Sequence, residues 1–250
     1  MLFRKFSLLK SDDADYRYRV KGISYHQFLS GLHSKLKPRT YLEIGTLRGR
    51  TLRSADCASI AIDPKFRVSS RVMGRKPSCL FFQMTSDDFF ARYDPRALFG
   101  APVDLAFIDG MHLLEYVLRD LINTEKNSER NSVIALHDCV PPGFYMTARS
   151  MSDPLFKRSR YANAWTGDVW KIVPILKKFR PKLKIVVTDC KPTGLVLITN
   201  LDPSNTDLES SYDEIVSRYA ISSMDRTEYE AYWTSLNVVT SHSWAKSTMI

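Results

Sequence analysis

Short apolar runs alternate with amphipathic segments along the chain, a pattern typical of a mostly parallel sheet covered by helices on both faces. The runs that predict buried strands are TYLEIG (40–45), SIAIDP (59–64), CLFFQM (79–84), VDLAFID (103–109) and SVIALHD (132–138). Residues 183–200 differ, because Lys191-Pro192-Thr193-Gly194 joins two β-rich runs there, which predicts a hairpin. We therefore expect an α/β fold: a seven-stranded, mostly parallel sheet with a C-terminal antiparallel hairpin.

The segments between the strands have the periodicity and the ends expected of helices. Apolar residues recur at helical spacing over 25–36, and Ser24 is placed to cap the start of that helix. A second apolar stripe covers 114–122, where Glu115 and Arg119 have the spacing of an ion pair. Both segments are predicted to pack an apolar face on the sheet.

The pattern predicts one main domain with extensions. The expected boundaries are 1–23 for an N-terminal extension, 24–200 for the main domain and 201–250 for a C-terminal helical extension packed on it. Residues 139–167 form a lid-like insertion, irregular, basic and aromatic, of the kind that is often functional. In the tail, 211–214 and 227–230 match the capping box that starts a helix.

Composition narrows the class of protein. The net charge of +9 permits an anionic partner such as a nucleic acid, a membrane surface or a phosphorylated substrate, without choosing among them. The cysteines are scattered and form no C-x-x-C pair, so we expect no zinc ribbon and a reducing, cytoplasmic location. No apolar run reaches the ~18 residues of a membrane span. The basic, apolar residues 2–10 could still touch an anionic membrane.

The first candidate chemistry lies in LEIGTLRGRT, where a strand ends at two glycines. Gly45 and Gly49 permit a tight turn and close approach of a ligand, while Glu43 is a carboxylate that is costly to bury unpaired. Asp63 ends the next strand and can accept both hydroxyls of a ribose. Together these residues favour a nucleoside site. The absent middle glycine of the dinucleotide fingerprint disfavours an NAD-dependent dehydrogenase.

The next strand ends are also polar. Ser86 and Asp87 follow the third strand, where an acid could meet an adenine amino group or only cap a helix. Asp109 ends the fourth strand, and His137 and Asp138 end the fifth. Adjacent strand ends would bring these carboxylates together, and a divalent cation such as Mg²⁺ would relieve their repulsion. The alternative is that His137 and Asp138 only bond the following turn.

In this order the motifs resemble class I S-adenosylmethionine-dependent methyltransferases. The residues that carry the resemblance are E-I-G-x-x-x-G from Glu43, the acid after strand two, D-G-x-H from Asp109 to His112, and H-D at 137–138. More narrowly, they resemble bacterial small-molecule O-methyltransferases and, more distantly, the metal-dependent catechol type. The resemblance implies a Rossmann-like fold over roughly 24–200.

The resemblance also implies roles for individual residues. The cofactor S-adenosylmethionine would contact Glu43, Gly45, Gly49, Asp63, Ser86, Asp87 and Asp109. Asp109 and Asp138 would hold a metal. Cys139 stands where the catechol-type enzymes carry a third ligand, and His137 could take the place of that ligand. His112 would act with Asp109 in catalysis, since a histidine of ordinary pKa, ~6.5, can take a proton from a hydroxyl near neutral pH.

The acceptor is not readable from the sequence. We expect methyl transfer to a hydroxyl of a small molecule such as a sugar, natural product or phenolic compound. The alternatives are a methyltransferase acting on RNA or another polyanion, and a non-catalytic nucleotide-binding module. Asp109-Gly110-Met111-His112 replaces the Asn/Asp-Pro-Pro-aromatic motif of enzymes that methylate the exocyclic amine of adenine, which disfavours that activity. No pattern indicates an oligomeric state.

Overall fold

The computed structural model describes residues 20–68, 71–154, 156–158, 164–220, 222 and 224–244. The basic, apolar segment 2–10, for which membrane contact is predicted, lies outside these residues. Among the described residues, no helix has the length and hydropathy needed to cross a membrane.

An eight-stranded sheet forms the centre of the molecule, with strand order β3-β2-β1-β4-β5-β7-β6-β8. The strands are β1 (Thr40–Ile44), β2 (Ala58–Ile62), β3 (Cys79–Phe82), β4 (Val103–Ile108), β5 (Ser128–His137), β6 (Lys184–Thr188), β7 (Leu195–Thr199) and β8 (Val238–Val239). β1 to β5 pair in parallel, and β7 is antiparallel to both β5 and β6. The predicted α/β, Rossmann-like fold with its C-terminal hairpin is confirmed. The additional strand is β8, which the tail adds beside β6.

The α-helices lie between and after these strands. In chain order they are α1 (Tyr25–Leu36), α2 (Ser86–Arg92), α3 (Pro95–Phe99), α4 (Leu114–Lys126), α5 (Ile172–Phe179), α6 (Asp207–Ser210), α7 (Tyr212–Ile215), α8 (Arg226–Ser235) and α9 (Ser241–Trp244). Ser24 caps α1 as predicted, accepting a hydrogen bond from the Gln27 amide. Pro174 lies in the first turn of α5, where its missing N–H leaves no helical bond unmade.

Two apolar cores cover the two faces of the sheet, because neighbouring residues of a strand point to opposite sides. On one face Phe28 and Leu32 of α1 pack against Tyr41 and Phe107. On the other face α4 and α5 pack together with the tail, whose Tyr229 is fully buried. The tail is thus held on the sheet by burial of apolar surface.

Several local predictions differ from the structure. After Gly49, where a strand followed by two glycines predicts a helix, the chain forms only a 3-10 turn, Leu52–Ser54. Ser211 makes no capping hydrogen bond. The helix predicted to start near residue 227 is α8, which is capped by a box two residues earlier, between Asp225 and Glu228. A Ser or Thr three residues before a Glu is therefore not sufficient to predict a capping box. The capping residue is the one at which the backbone passes into helical conformation.

The predicted ion pair between Glu115 and Arg119 is also wrong. Arg119 instead bonds both oxygens of Asp87, at 2.7 Å each. Glu115 pairs with Arg149 of the 139–167 insertion, at 2.8 Å. Arg149 continues to Asp168 at 2.6 Å, and Lys171 bonds Asp168 at 3.0 Å. Long-range partners therefore replaced the local pair, and they fasten the insertion to α4.

The same network reaches the C-terminal tail. Lys171 donates to the carbonyls of Tyr219 and Ser222 at 2.7 and 2.8 Å, and Arg149 donates to the carbonyl of Ala220 at 3.0 Å. Lys171 and Asp168 are both buried. The insertion, α4 and the tail are therefore joined by one network of ion pairs and hydrogen bonds on one side of the sheet.

Candidate active site

A cavity of about 730 Å³ opens above the carboxyl ends of β1, β2, β4 and β5. In open α/β sheets this is the edge at which ligands bind. Of the residues predicted to form the site, the lining includes Gly45, Asp63, Ser86, Asp109, His112, His137 and Asp138. Residues distant in sequence are thus gathered at one place by the parallel strands.

The two glycines of the first loop serve the backbone. Gly45 has a φ of 84°, and a Cβ there would lie 1.9 Å from the carbonyl oxygen of Asp109. A Cβ on Gly49 would lie 2.6 Å from Val72, and Gly49 is not among the described residues that line the cavity. Gly45 therefore lets β1 and β4 end close together, while Gly49 makes room for the β2–β3 loop.

Asp63 is held in place by two backbone amides. Its Oδ2 accepts a hydrogen bond from Leu47 at 2.8 Å, and its Oδ1 accepts one from Lys65 at 2.7 Å. A carboxylate oxygen has two lone pairs, so each oxygen keeps one for a ligand. The carboxylate lines the cavity and can accept one hydroxyl on each oxygen, as a ribose diol requires.

Glu43 lies in β1 and has no exposed surface. The Tyr41 hydroxyl donates to its Oε2 at 2.6 Å, while Oε1 has no hydrogen-bonding partner among the described residues. Burial raises the pKa of Glu43 to about 7, and the charge of Asp109 adds to the effect. Glu43, predicted to contact the cofactor, is not among the described residues that line the cavity.

Some of the polar residues after β3 line the cavity, and others make their contacts within the protein. Thr85 and Ser86 line the cavity, whereas Asp87 turns to Arg119 and is not among the described lining residues. Asp120 of α4 is buried close by, and burial raises its pKa to about 7, with the charge of Asp87 adding to the rise. Sequence reasoning missed Asp120, which is buried on α4 beside the apolar residues Val117 and Leu121.

Two carboxylates and two imidazoles meet at the ends of β4 and β5. His112 Nε2 lies 3.1 Å from Asp138 Oδ2 and 3.4 Å from Asp109 Oδ1. His137 Nδ1 lies 3.1 Å from Asp109 Oδ1 and 3.2 Å from Asp138 Oδ2. We call these four residues the His–Asp cluster. Each carboxylate contacts both imidazoles, so the repulsion between the carboxylates is offset within the protein.

The electrostatics of the His–Asp cluster follow from these contacts. Burial alone would lower the pKa of each histidine, but Asp138 and Asp109 outweigh it and raise the pKa of His112 to about 9 and that of His137 to about 10. Burial would likewise raise the pKa of Asp109, yet the histidines hold it well below its usual range. Near neutral pH both imidazoles are therefore protonated in the unliganded protein.

His112 is positioned by the 139–167 insertion and the residues after it. Its Nδ1 lies 2.8 Å from the carbonyl oxygen of Trp165, and the Trp165 ring stacks on it at 5.4 Å between centroids. Its own carbonyl accepts from the Asp168 amide at 3.2 Å. His112 and Asp138 both have positive φ, 57° and 60°. Such strain costs about 1–3 kcal/mol per residue and clusters at functional sites.

The ligand atoms at the ends of β4 and β5 indicate which kind of metal ion the predicted site would bind. Ligand atoms of Asp109, His137 and Asp138 lie within 4.8 Å of one another, which suits a divalent cation. Mg²⁺ prefers oxygen ligands only, so one imidazole among the three favours a transition-metal ion. Cys139 is not directed at this set, since its Sγ bonds the carbonyl of His137 at 3.3 Å.

Sequence reasoning also missed cavity residues that carry no motif. Tyr25 and His26 begin α1, and Arg50 follows the second glycine; all three line the cavity. Tyr25 lies with its ring centroid 4.1 Å from that of His137. The packing of α1 against the end of β5 brings Tyr25 and His26 to the site, and no local sequence pattern predicts that packing; Arg50 comes from the loop after β1.

Part of the chain matches the model of a known protein family. Residues 42–139 match the family model of a methyltransferase domain. No curated protein matches the chain.

Solved structures provide further comparisons. An O-methyltransferase from Bacillus cereus in complex with SAH is 15% identical, with 80% of this chain and 93% of that chain covered and a TM-score of 0.46. The SAH-bound methyltransferase PaMTH1 from Podospora anserina is 12% identical, with coverage of 78% and 88% and a TM-score of 0.49. The SAM-bound O-methyltransferase TomG from Streptomyces achromogenes, involved in tomaymycin synthesis, is 16% identical, with coverage of 77% and 89% and a TM-score of 0.46. Residues 42–139 are therefore similar to a methyltransferase domain, and the family resemblance found in the sequence is confirmed.

Proposed function

We propose that this protein is an S-adenosylmethionine-dependent methyltransferase that methylates a hydroxyl group of a small molecule. The observation that carries the proposal is one cavity in which a diol-accepting carboxylate, Asp63, and the His–Asp cluster lie at opposite ends. A methyltransferase needs both: a fixed place for the nucleoside and a proton acceptor near the methyl group.

The cavity fits the cofactor in size and in donor chemistry. Ligand sites of ~300–1,000 Å³ hold molecules of this size, and this cavity has about 730 Å³. Asp63 would accept the two ribose hydroxyls on its free lone pairs. Ser86 would lie beside the adenine. When bound, S-adenosylmethionine supplies a methyl group on a sulfonium, which leaves as S-adenosylhomocysteine after accepting the electron pair of the broken C–S bond.

His112 would take the proton of the acceptor hydroxyl as the new C–O bond forms. To do so its Nε2 must first lose the proton that it shares with Asp138. Asp109 and Asp138 then stabilise the imidazolium that results from the transfer. Trp165 and Asp168 hold the ring and its backbone in place for this step.

Binding of a divalent cation is a separate proposal, and the proton transfer to His112 does not depend on it. Asp109, His137 and Asp138 would hold it, and a bound divalent ion would lower the pKa of an acceptor hydroxyl. A non-catalytic nucleotide-binding module is less consistent with the strained conformations of His112 and Asp138.

The first test is calorimetric titration of the folded protein with S-adenosylmethionine, with and without Mn²⁺ and Mg²⁺. We expect a dissociation constant in the range of roughly 1 μM to 1 mM. Folded protein that binds neither the cofactor nor S-adenosylhomocysteine would contradict the proposal. Heat that depends on Mn²⁺ would support the cation.

The second test measures release of S-adenosylhomocysteine in the presence of hydroxylated small molecules, each paired with its O-methylated form. We expect release only with a free hydroxyl. Binding of RNA that weakens steeply with salt, together with methylation of RNA, would favour the polyanion alternative instead.

A further inference from the structure

One wall of the cavity has no role in the scheme above. It consists of Tyr25 and His26 at the start of α1, and Arg50 in the loop after β1. We call these three residues the α1 wall. They combine a phenol, an imidazole and a guanidinium, which is a set of hydrogen-bond donors.

The α1 wall lies at the acceptor end of the cavity. The Tyr25 amide donates to the carbonyl of Lys191 in the hairpin at 3.0 Å, and the centroid of the Tyr25 ring lies 4.1 Å from that of His137 at the end of β5. Asp63 follows β2, and both β1 and β4 lie between β2 and β5 in the sheet. With the nucleoside placed at Asp63, the Tyr25 part of the α1 wall borders the His–Asp cluster, where the proposed base lies.

Arg50 is an uncompensated cation at this wall. It is exposed, and the described part of the chain offers it no hydrogen bond or ion pair. The nearby carboxylates of Asp109 and Asp138 are already engaged by two imidazoles. A cation that lines a cavity with no protein partner is free to bind an anionic group of a ligand.

The other two residues can add donors to Arg50. His26 has its Nδ1 buried with no hydrogen-bonding partner among the described residues. His26 and Arg50 line the same cavity. A phenol hydroxyl is both a donor and an acceptor near neutral pH, so Tyr25 can add a second donor beside the guanidinium.

We propose that Arg50, with His26 and Tyr25, binds an anionic group of the methyl acceptor, a carboxylate or a phosphate. The acceptor would then be an anionic hydroxylated compound, anchored by its charge at the α1 wall with a hydroxyl directed to His112. This inference rests on the proposed methyltransferase function, and it adds the chemical class of the acceptor.

The test uses inorganic phosphate as the probe, titrated into the full chain with and without saturating S-adenosylhomocysteine. We expect phosphate to bind in both conditions. Arg50→Gln should weaken phosphate binding at least about tenfold, because it removes a charge-assisted hydrogen bond to the anion. Arg130→Gln removes the same charge from an exposed residue near the start of β5, at the opposite end of that strand from His137, and it should change the affinity less than about twofold.

Further variants separate the sources of the anion. His26→Gln should weaken phosphate binding by a smaller factor, with the thermal unfolding of each variant as the check on folding. Arg50→Gln should leave the affinity for S-adenosylhomocysteine within about threefold, since the cofactor is held from Asp63. Displacement of phosphate by S-adenosylhomocysteine would overturn the inference, because the anion site would then belong to the cofactor's carboxylate.

Two other results would also overturn it: no phosphate binding to the wild-type protein, or equal losses in Arg50→Gln and Arg130→Gln, which would indicate only the overall positive charge. Failure of the proposed function is distinguishable, since it appears as absent cofactor binding, whatever phosphate does. Phosphate binding that depends on Arg50 in a protein that binds no cofactor would leave an anion site and overturn its assignment to a methyl acceptor.

Discussion

The two ends of the cavity use carboxylates in different ways. At the end where we propose that the nucleoside binds (the nucleoside end), the Asp63 carboxylate is held by backbone amides of Leu47 and Lys65, which carry no charge and cannot titrate. At the end where we propose that the methyl acceptor binds (the acceptor end), Asp109 and Asp138 are held by the protonatable rings of His112 and His137. Both arrangements satisfy buried acids, but only the second can exchange a proton with a substrate.

This difference separates binding from chemistry within one cavity. Two amide donors fix the orientation of the Asp63 carboxylate, which suits a residue that only accepts hydroxyls. Imidazoles beside Asp109 and Asp138 produce a site whose charge depends on pH, which suits proton transfer. The comparison therefore predicts that variants at the two ends will affect different measured quantities.

The largest effect is expected at the acceptor end. His112→Gln keeps a polar side chain but cannot take a proton from the acceptor, so kcat should fall at least about 100-fold. The affinity for S-adenosylmethionine should change less than about threefold. His242→Gln, at an exposed histidine of α9, is the matched control and should retain activity. A His112→Gln enzyme with near-normal kcat would remove the proposed base.

The residues at the two ends also differ in how far the sequence could predict them. Glycine turns, strand ends and Asp63 are local signals, so the sheet and the position of Asp63 in the cavity were predictable in outline. The pairings Asp87 with Arg119 and Arg149 with Glu115 were not predictable, because each joins segments distant in sequence. Tyr25, with no motif around it, likewise reaches the site only through the packing of α1.

The second prediction concerns the pH dependence of activity. A base acts only after it loses its proton, and the pKa of His112 is raised to about 9 by Asp138 and Asp109 against the effect of burial. Activity should therefore rise with pH through about 9, roughly tenfold per unit below that value, rather than level off above ~6.5. The measurement is kcat/KM from pH 6 to 10 with an acceptor that does not titrate in that range.

Asp138→Asn provides the internal comparison for the pH profile. Loss of one carboxylate removes a cause of the raised pKa, so the midpoint should move to lower pH. A wild-type midpoint near the ordinary histidine value would contradict the electrostatic description of the His–Asp cluster. Asp63 is not part of the His–Asp cluster, so Asp138→Asn should leave the pH dependence of the affinity for S-adenosylhomocysteine as it is in the wild-type protein.

A smaller effect is expected at the nucleoside end. Asp63→Asn keeps the shape of the side chain but removes its charge and one acceptor oxygen, so the affinity for S-adenosylmethionine should fall about tenfold. With saturating cofactor, kcat should recover to within about threefold. Asp213→Asn, at an exposed position of the tail, is the charge-matched control for calorimetry. A loss of kcat that saturating cofactor does not restore would break the separation of binding from chemistry.

The smallest effect is expected for Asp87, which lies near the same end but makes its contacts within the protein. Both of its oxygens bond Arg119, and its side chain is 41% exposed, so the pair contributes at most about 1 kcal/mol to stability. Asp87→Asn should change the cofactor affinity less than about threefold, as measured by calorimetry beside Asp63→Asn. A loss larger than about tenfold would mean that Asp87 leaves Arg119 to meet the adenine when the cofactor binds. Comparison of these two acids thus tests whether the nucleoside is recognised by the groups that line the cavity in the unliganded protein.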